Sequence, residues 1–319
     1  MSVSDTIQVP IKRVTADPFA GSIAAVIVSY NPDKDFGKRL SVIKPQVDHI
    51  IIVDNGSNTS IYETLNDFIS GDNDIIENKL NMGIAVALNQ GVKKAMQLGF
   101  SWVLTLDQDT EIDPNMVSHL VSILSNYPDK GALGIIGSNA RSKHSGHLFM
   151  DCGKQSSEFM DAKTVITSGS LMSLSAYEIT GSFREDFFIE GVDLEYCLRL
   201  RRNGFKVLMS CKPLMTHAAG KMEEHRFLGR VVLVANHEPW RYYCMLRNLA
   251  QISRVYVRQE PRWVLDLCFN IVKMIIKIAF FEENRFIKVK YIFVGIIDGL
   301  SKMMRCNRRV TNLPTVASR

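Results

Sequence analysis

Apolar positions fall in short unbroken runs in the first part of the chain. Ile23-Ala-Ala-Val-Ile-Val-Ser-Tyr30, His49-Ile-Ile-Ile-Val-Asp54 and Trp102-Val-Leu-Thr-Leu-Asp107 are each bounded by polar or turn residues. Runs of this length predict strands buried on both faces. A weaker strand is predicted at Asp74-Ile-Ile-Glu77. Helical spacing appears between them, near 35–44, 61–70 and 84–98, with a helix after Asp113-Pro114, where proline suits a first turn. Strand alternating with helix predicts a mostly parallel α/β sheet. Further strands are predicted at 133–137, 164–174 and 205–210, and a helix at 192–203 closed by Gly204.

The C-terminal part follows a different rule. Residues 240–257 read as helix. In 262–281, Asp266, Asn270, Lys273 and Lys277 make one narrow polar stripe on an otherwise apolar helix, and 285–305 is again apolar with scattered lysines. Neither stretch is uninterrupted enough to cross a membrane. The pattern divides the chain into an N-terminal arm (1–20), an α/β unit (21–239) and a helical region (240–319).

Charge sharpens this division. Of 319 residues, 38 are Lys or Arg and 33 Asp or Glu, but residues 258–319 alone hold 12 basic and 5 acidic residues. Two packed bundle helices with solvated lysines are one reading; a pair lying on an anionic membrane surface is the other, favoured by the wide apolar faces. A homodimer contact is open on the same grounds. Nucleic acid is not expected, because no dense polar basic face is present. Six cysteines without CxxC predict reduced thiols rather than a disulfide framework, and the polar N-terminus carries no secretory signal pattern.

Polar residues cluster just after three predicted strands: Tyr30-Asn31, Asp54-Asn55-Gly56-Ser57 and Asp107-Gln108-Asp109. In open α/β sheets ligands bind outside the carboxyl ends of the strands, so these predict one crevice. Two carboxylates separated by one residue suit a hard divalent cation with positions left for phosphate oxygens, although an acidic triplet alone is more often a turn. Asp54-Asn55-Gly56 reads equally as a turn, and Asn81-Met82-Gly83 as a helix entry. Asp193 and Glu195 open a helix after an aromatic loop, where a carboxylate can act as general base. His217 is the best placed histidine; His144 and His147 read as surface. No GxxxxGK[ST] or GxGxxG occurs, which argues against P-loop and dinucleotide chemistry.

Together, Val28–Pro32, Val53–Ser57, Asn81–Gly91, Leu106–Asp109, Thr167–Ser170, Phe188–Arg199 and His217 resemble the family 2 glycosyltransferases of the GT-A fold. Within that family they are similar to bacterial rhamnosyltransferases of O-antigen type polysaccharides. Tyr242-Tyr243, Arg247-Asn248 and Gly295-x-x-Asp298-Gly299 also look like this subgroup. The resemblance implies a GT-A type nucleotide-binding sheet flanked by helices, with an amphipathic helical extension. It implies a donor site of Tyr30, Asn31, Asp54, Asn55, Gly83, Asp107, Gln108, Ser168 and Gly169, with Mg2+ or Mn2+ on Asp109 and His217. Asp193 would be the base of an inverting transfer and Glu195 its helper. Val192 stands where the family commonly has the Glu of a Glu-Asp doublet, and Glu190 is a possible substitute. The implied donor is dTDP-β-L-rhamnose and the implied acceptor a lipid-linked saccharide, handled by a cytoplasmic enzyme at the inner face of the membrane. A transferase using a UDP- or GDP-sugar and a non-catalytic scaffold are the alternatives.

Overall fold

The run Ile23–Ser29 becomes strand β1, and alternate residues of this strand face two different cores. Ala24, Val26 and Val28 join one cluster with Ile51, Val53 and Val103, while Ala25 and Ile27 join another with Ile50, Ile52 and Leu104. A strand with both faces covered needs no polar alternation, which is why its sequence is uniformly apolar. The computed structural model describes residues 22–61, 73–143, 146–152, 157–217, 223–227 and 229–301.

β2 (His49–Asp54), β3 (Asn73–Glu77) and β4 (Trp102–Asp107) extend the sheet, in the order β3-β2-β1-β4, all parallel. Helices α1 (Phe36–Ile43) and α3 (Met116–Asn126) cover one face; α2 (Ile84–Gln97) covers the other. A Cβ at Gly91 of α2 would strike Val26, so glycine is what lets this helix approach β1 so closely. Helix α3 starts later than its proline suggests. Asp113 accepts from Asn115 N at 2.8 Å and closes a turn, which leaves Pro114 before the helix rather than in it.

Beyond β4 the sheet becomes mixed. It continues through β8 (Ser170–Ser173), β6 (Leu133–Ser142) and β9 (Lys206–His217) to β5 (Glu111–Ile112), with β7 (Phe159–Asp161) also on β9. β8 runs antiparallel to both β4 and β6. The single strand expected at 164–174 is cut short at both ends. Gly169 takes φ +76°, and Ser173 caps helix α4 (Leu174–Thr180) by accepting from Ala176 N. Helix α5 (Val192–Arg202) follows, and Gly204, at φ +86°, ends it as expected. A hairpin of β10 (Glu223–Phe227) and β11 (Arg230–Val234) leads to three long helices: α6 (Pro239–Tyr256), α7 (Pro261–Phe281) and α8 (Arg285–Leu300).

These helices pack by close approach. Cβ atoms at Gly295 and Gly299 of α8 would collide with the α6 backbone at Tyr243 and Arg247, and the Tyr243 hydroxyl donates to Asp298 at 2.8 Å. Helix α7 buries Ile278 and leans Ile271, Met274 and Ile275 against Tyr242 and Leu246 of α6. Its opposite face stays out: Leu265, Phe269, Val272, Ile276 and Phe280 are 52–70% exposed, and Phe286 of α8 is 83% exposed. No helix among the described residues is long and apolar enough to cross a membrane.

One expectation is corrected. Cys152 and Cys211 are joined as a disulfide, with Cα atoms 5.8 Å apart across 59 residues of chain. Cys197, Cys244 and Cys268 are not disulfide-bonded. The arm 1–20, all but the first residue of the expected helix 61–70, His144 and the tail after 301 lie outside the described residues.

Candidate active site

The carboxyl ends of β1, β2 and β4 lie side by side, with Ser29 opposite Asp54 and Val28 opposite Asp107. This register gathers the three polar clusters on one ledge. Asp54 is buried and closes its own turn, accepting from Ser57 N at 3.0 Å and from the Ser57 hydroxyl at 2.5 Å. The same hydroxyl accepts from Asn31 N at 2.7 Å, and Asn31, at φ +47°, accepts from Asn58 N at 2.8 Å. The Gln108 carboxamide pairs with the Tyr30 backbone in both directions, at 2.7 and 3.0 Å. Tyr30, Asn31, Asp54 and Gln108 thus form one hydrogen-bonded wall.

Asn55 and Gly83 belong to a second wall, where both are engaged by the protein. Asn55 donates to Asn81 at 3.0 Å and accepts from Asn78 and Met82 N, while Asn78 and Gln90 exchange hydrogen bonds at 2.9 and 2.8 Å. Gly83 takes φ +88°, and a Cβ there would meet the Phe188 carbonyl oxygen at 2.7 Å. That carbonyl accepts from Ile84 N, so Gly83 seats the start of α2 against the loop that leads to Asp193.

Ser168 and Gly169 position the acidic triplet from behind. Ser168 Oγ accepts from Asp107 N at 3.1 Å and shares a hydrogen bond with Thr110 Oγ1 at 2.6 Å. Gly169 N donates to the Thr105 carbonyl, in a left-handed turn where a Cβ would strike the Met215 sulfur. The Asp107 carboxyl is pushed up to about 7, first by burial and then by the charge of Asp109. Asp109 is exposed and has no hydrogen-bond or ion-pair partner among the described residues. Its successor strand β5 pairs Glu111 with Thr216, which brings the triplet to the end of β9, where His217 stands. The His217 side chain lies outside what the structure describes. Among the described residues no three His, Cys, Asp or Glu side chains converge as a closed metal cage.

The loop before α5 reverses sharply, with Glu190 at φ +64° and Gly191 at φ +75°. It leads directly into α5 and sets Asp193 in the first turn of that helix. Burial pushes the Asp193 carboxyl up to about 6 against the stabilising Leu194 N–H, and the charges of Glu190 and Asp107 push it further. Of these influences on Asp193 that of Asp107, at the end of β4, is the weakest. Glu195 is directed elsewhere. It is buried, accepting from Arg199 at 3.0 Å and from the Tyr256 hydroxyl at 3.2 Å, on the side of α5 that packs on α6.

A parallel strand-end ledge with a paired carboxylate, and a raised acid at the start of α5, match what sequence comparison finds. The model of "Glycosyl transferase family 2" matches residues 24–166. The chain carries a family 2 glycosyltransferase domain. The transferase is 26% identical to the dTDP-rhamnosyl transferase RfbF of Shigella flexneri, across 88% of this chain and 95% of that protein. It is 25% identical to the poly-beta-1,6-N-acetyl-D-glucosamine synthase of Staphylococcus aureus, of whose length it spans about half (54%). In fold it resembles S. aureus TarS 1-349 (TM-score 0.60, 12% identity, 89% of this chain and 82% of that one). It also resembles GalNAc-T7, solved with UDP, GalNAc and Mn2+ (TM-score 0.57, 15% identity, 76% of this chain and 49% of that one).

The transferase also holds its cleft with residues whose chemical role the sequence did not reveal. Arg241 of α6 binds Glu190 through Nε at 2.7 Å and a terminal nitrogen at 2.6 Å. Asn248 donates to the carbonyls of Ile189 and Glu190. Arg247, almost wholly buried, donates to the Asp186 carbonyl and to Asn248 Oδ1. The available signal was three strongly polar residues within an otherwise packed helical stretch.

Proposed function

We propose that the chain is an inverting rhamnosyltransferase, moving L-rhamnose from dTDP-β-L-rhamnose to a lipid-linked saccharide of a bacterial surface polysaccharide. Similarity along nearly the whole length of a dTDP-rhamnosyl transferase supports the sugar. The observation that carries the mechanism is Asp193, whose carboxyl is pushed up to about 6, first by its burial at the start of α5. At neutral pH it is ionised yet still basic enough to accept a proton. It takes the proton of the acceptor hydroxyl as that oxygen bonds to the anomeric carbon. The bond from that carbon to the diphosphate oxygen breaks, and dTDP leaves with the electron pair. Attack opposite the leaving group inverts the centre and gives an α-linked rhamnose.

Tyr30, Asn31 and Asp54 form the wall for the base, and Asp107 stands nearest the ribose. Gln108, Asn55, Gly83, Ser168 and Gly169 shape the crevice by holding its backbone. Two neighbouring carboxylates, one raised by the other, form a donor set suited to Mg2+ or Mn2+. Asp109 would hold the ion, with His217 as the other candidate and Asp107 within reach of the ion's waters. When bound, the ion offsets the negative charge of the departing diphosphate. Glu195 serves this reading as a support for α5.

The outward apolar face of α7 and α8, with basic residues beside it, fits peripheral attachment to the anionic inner face of the cytoplasmic membrane.

Thermal unfolding with dTDP, UDP or GDP, each with Mn2+ or EDTA, tests the donor. Nucleotide at a hundred times its dissociation constant stabilises by about 2.7 kcal/mol. The largest Mn2+-dependent shift with dTDP is expected. A larger shift with UDP or GDP would replace the sugar, and no shift with any of them would favour a scaffold.

A further inference from the structure

Beside the exposed face of α7 there is an open pocket of about 310 Å3, bounded by that helix, the end of β11 and the first turn of α6. Its polar wall is the stripe visible in the sequence: Asn270, Lys273 and Lys277 all line it. Lysines four residues apart lie on one face of a helix. Lys277 donates to the Leu233 carbonyl at 3.2 Å, which leaves two of its three N–H groups free for another acceptor. Lys273 has no hydrogen-bond or ion-pair partner among the described residues. Met245 and Met274 supply an adaptable apolar wall.

The one acidic group in the lining does not cancel these charges. Glu282 is buried, shares the Tyr242 hydroxyl proton between its two oxygens, and is paired with buried Lys288 at 2.9 Å. The lining therefore presents two ammonium groups to an anion of moderate size. Arg241, the chain neighbour of Tyr242 in the lining, pairs with Glu190 at 2.6 Å, which ties this wall to the loop that carries the base. The same helix carries the exposed apolar strip Leu265, Phe269, Val272, Ile276 and Phe280.

We propose that this cavity binds the diphosphate of a prenyl-diphosphate-linked acceptor, with Lys273 and Lys277 on the phosphates and the prenyl chain along the apolar strip of α7. The saccharide end then extends toward Asp193. This rests on the transferase reading and gives its acceptor a docking site. Pairing a basic pocket with an outward apolar strip suits a molecule that is itself anionic at one end and apolar at the other.

The test uses the full chain and farnesyl diphosphate as probe, read by calorimetry, with inorganic diphosphate and farnesol as its two halves. Farnesyl diphosphate should bind more tightly than either half. The double variant Lys273→Gln/Lys277→Gln should weaken it by about tenfold or more, from the loss of two lysine–phosphate attractions. Lys290→Gln, an exposed lysine outside the cavity, should leave it unchanged. Unfolding temperatures of both variants establish that they are folded. Equal binding by the double variant, or equal loss in Lys290→Gln, overturns the proposal. So does equal affinity for phosphatidylglycerol vesicles with and without farnesyl diphosphate, which would make the surface a general headgroup site. The dTDP and Mn2+ shift is measured on the same samples. If it fails while farnesyl diphosphate binds as expected, the donor reading falls and the cavity stands.

Discussion

Asn248 spans two consecutive carbonyls, donating Nδ2 to Ile189 at 2.9 Å and to Glu190 at 2.7 Å. Glu190 is in the left-handed region and has no helical partner for its carbonyl. A residue of the C-terminal helices therefore fixes the turn that leads to Asp193. Asn248→Ala should cost about 1–3 kcal/mol, because two part-buried carbonyls and the buried Arg247 lose a partner. Turnover should fall more than donor affinity, since the nucleotide walls are untouched. Urea unfolding and steady-state kinetics check both.

Asp193 should trade stability for chemistry. Its folded carboxyl titrates near 6 rather than 3.8, so the native state holds a proton more tightly than the unfolded chain between those values. Stability from this group is complete below about 3.8 and is lost as pH rises through about 6. At pH 7 Asp193→Asn should therefore raise stability, on the order of 1 kcal/mol, while activity falls about a hundredfold to ten-thousandfold. The wild-type rate should rise with pH up to about 6 and then level. A pH–rate profile without that limb would remove Asp193 as the base.

Glu195→Gln should behave in the opposite way. The carboxylate holds Arg199 and Tyr256 inside the protein, so its loss costs about 1–3 kcal/mol of stability. The pH–rate limb should stay where it is. A shift of that limb would return Glu195 to the chemistry.

Asp109→Asn should abolish the Mn2+-dependent part of the dTDP stabilisation without lowering the unfolding temperature of the free protein. Asp109 is exposed and bonds nothing else among the described residues. Differential scanning fluorimetry with Mn2+ and with EDTA reads this. An unchanged Mn2+ response would move the cation to other ligands.

Gly299→Ala should loosen the C-terminal helices. The new methyl would overlap the Arg247 carbonyl and approach Ala250 Cβ to 2.8 Å, a cost of about 1–3 kcal/mol from overpacking. Because Arg247 and Asn248 hold the turn before Asp193, turnover should fall with stability. Intact turnover in a destabilised variant would separate α8 from the site.

Much of the fold was legible because its physics is local. Continuous apolar runs specify doubly covered strands, and the polar residues that stop them must emerge at one edge of a parallel sheet. Tyr30, Asp54 and Asp107 were placed together on that reasoning. The strand expected at 164–174 failed because Gly169 and Ser173 answer to Met215 and to a helix cap, neither visible in a run of apolar letters.

Direction was not legible. Asp193 and Glu195 are both acids at the start of one helix, and only packing raises the first by burial and turns the second onto Arg199 and Tyr256. The Cys152–Cys211 pair was missed for a related reason: spacing along the chain is silent about which strands bring two thiols within 5.8 Å. The polar stripe of α7 was visible as a pattern, but that its exposed lysines also edge a pocket depended on where β11 and α6 came to rest. The sequence by itself determined which segments are strand or helix and which residues carry charge, because propensity and periodicity act between near neighbours. Only the tertiary structure decided which carboxylate is raised, which is neutralised and which apolar strip is left uncovered, because burial and charge act between residues that the chain brings together from far apart.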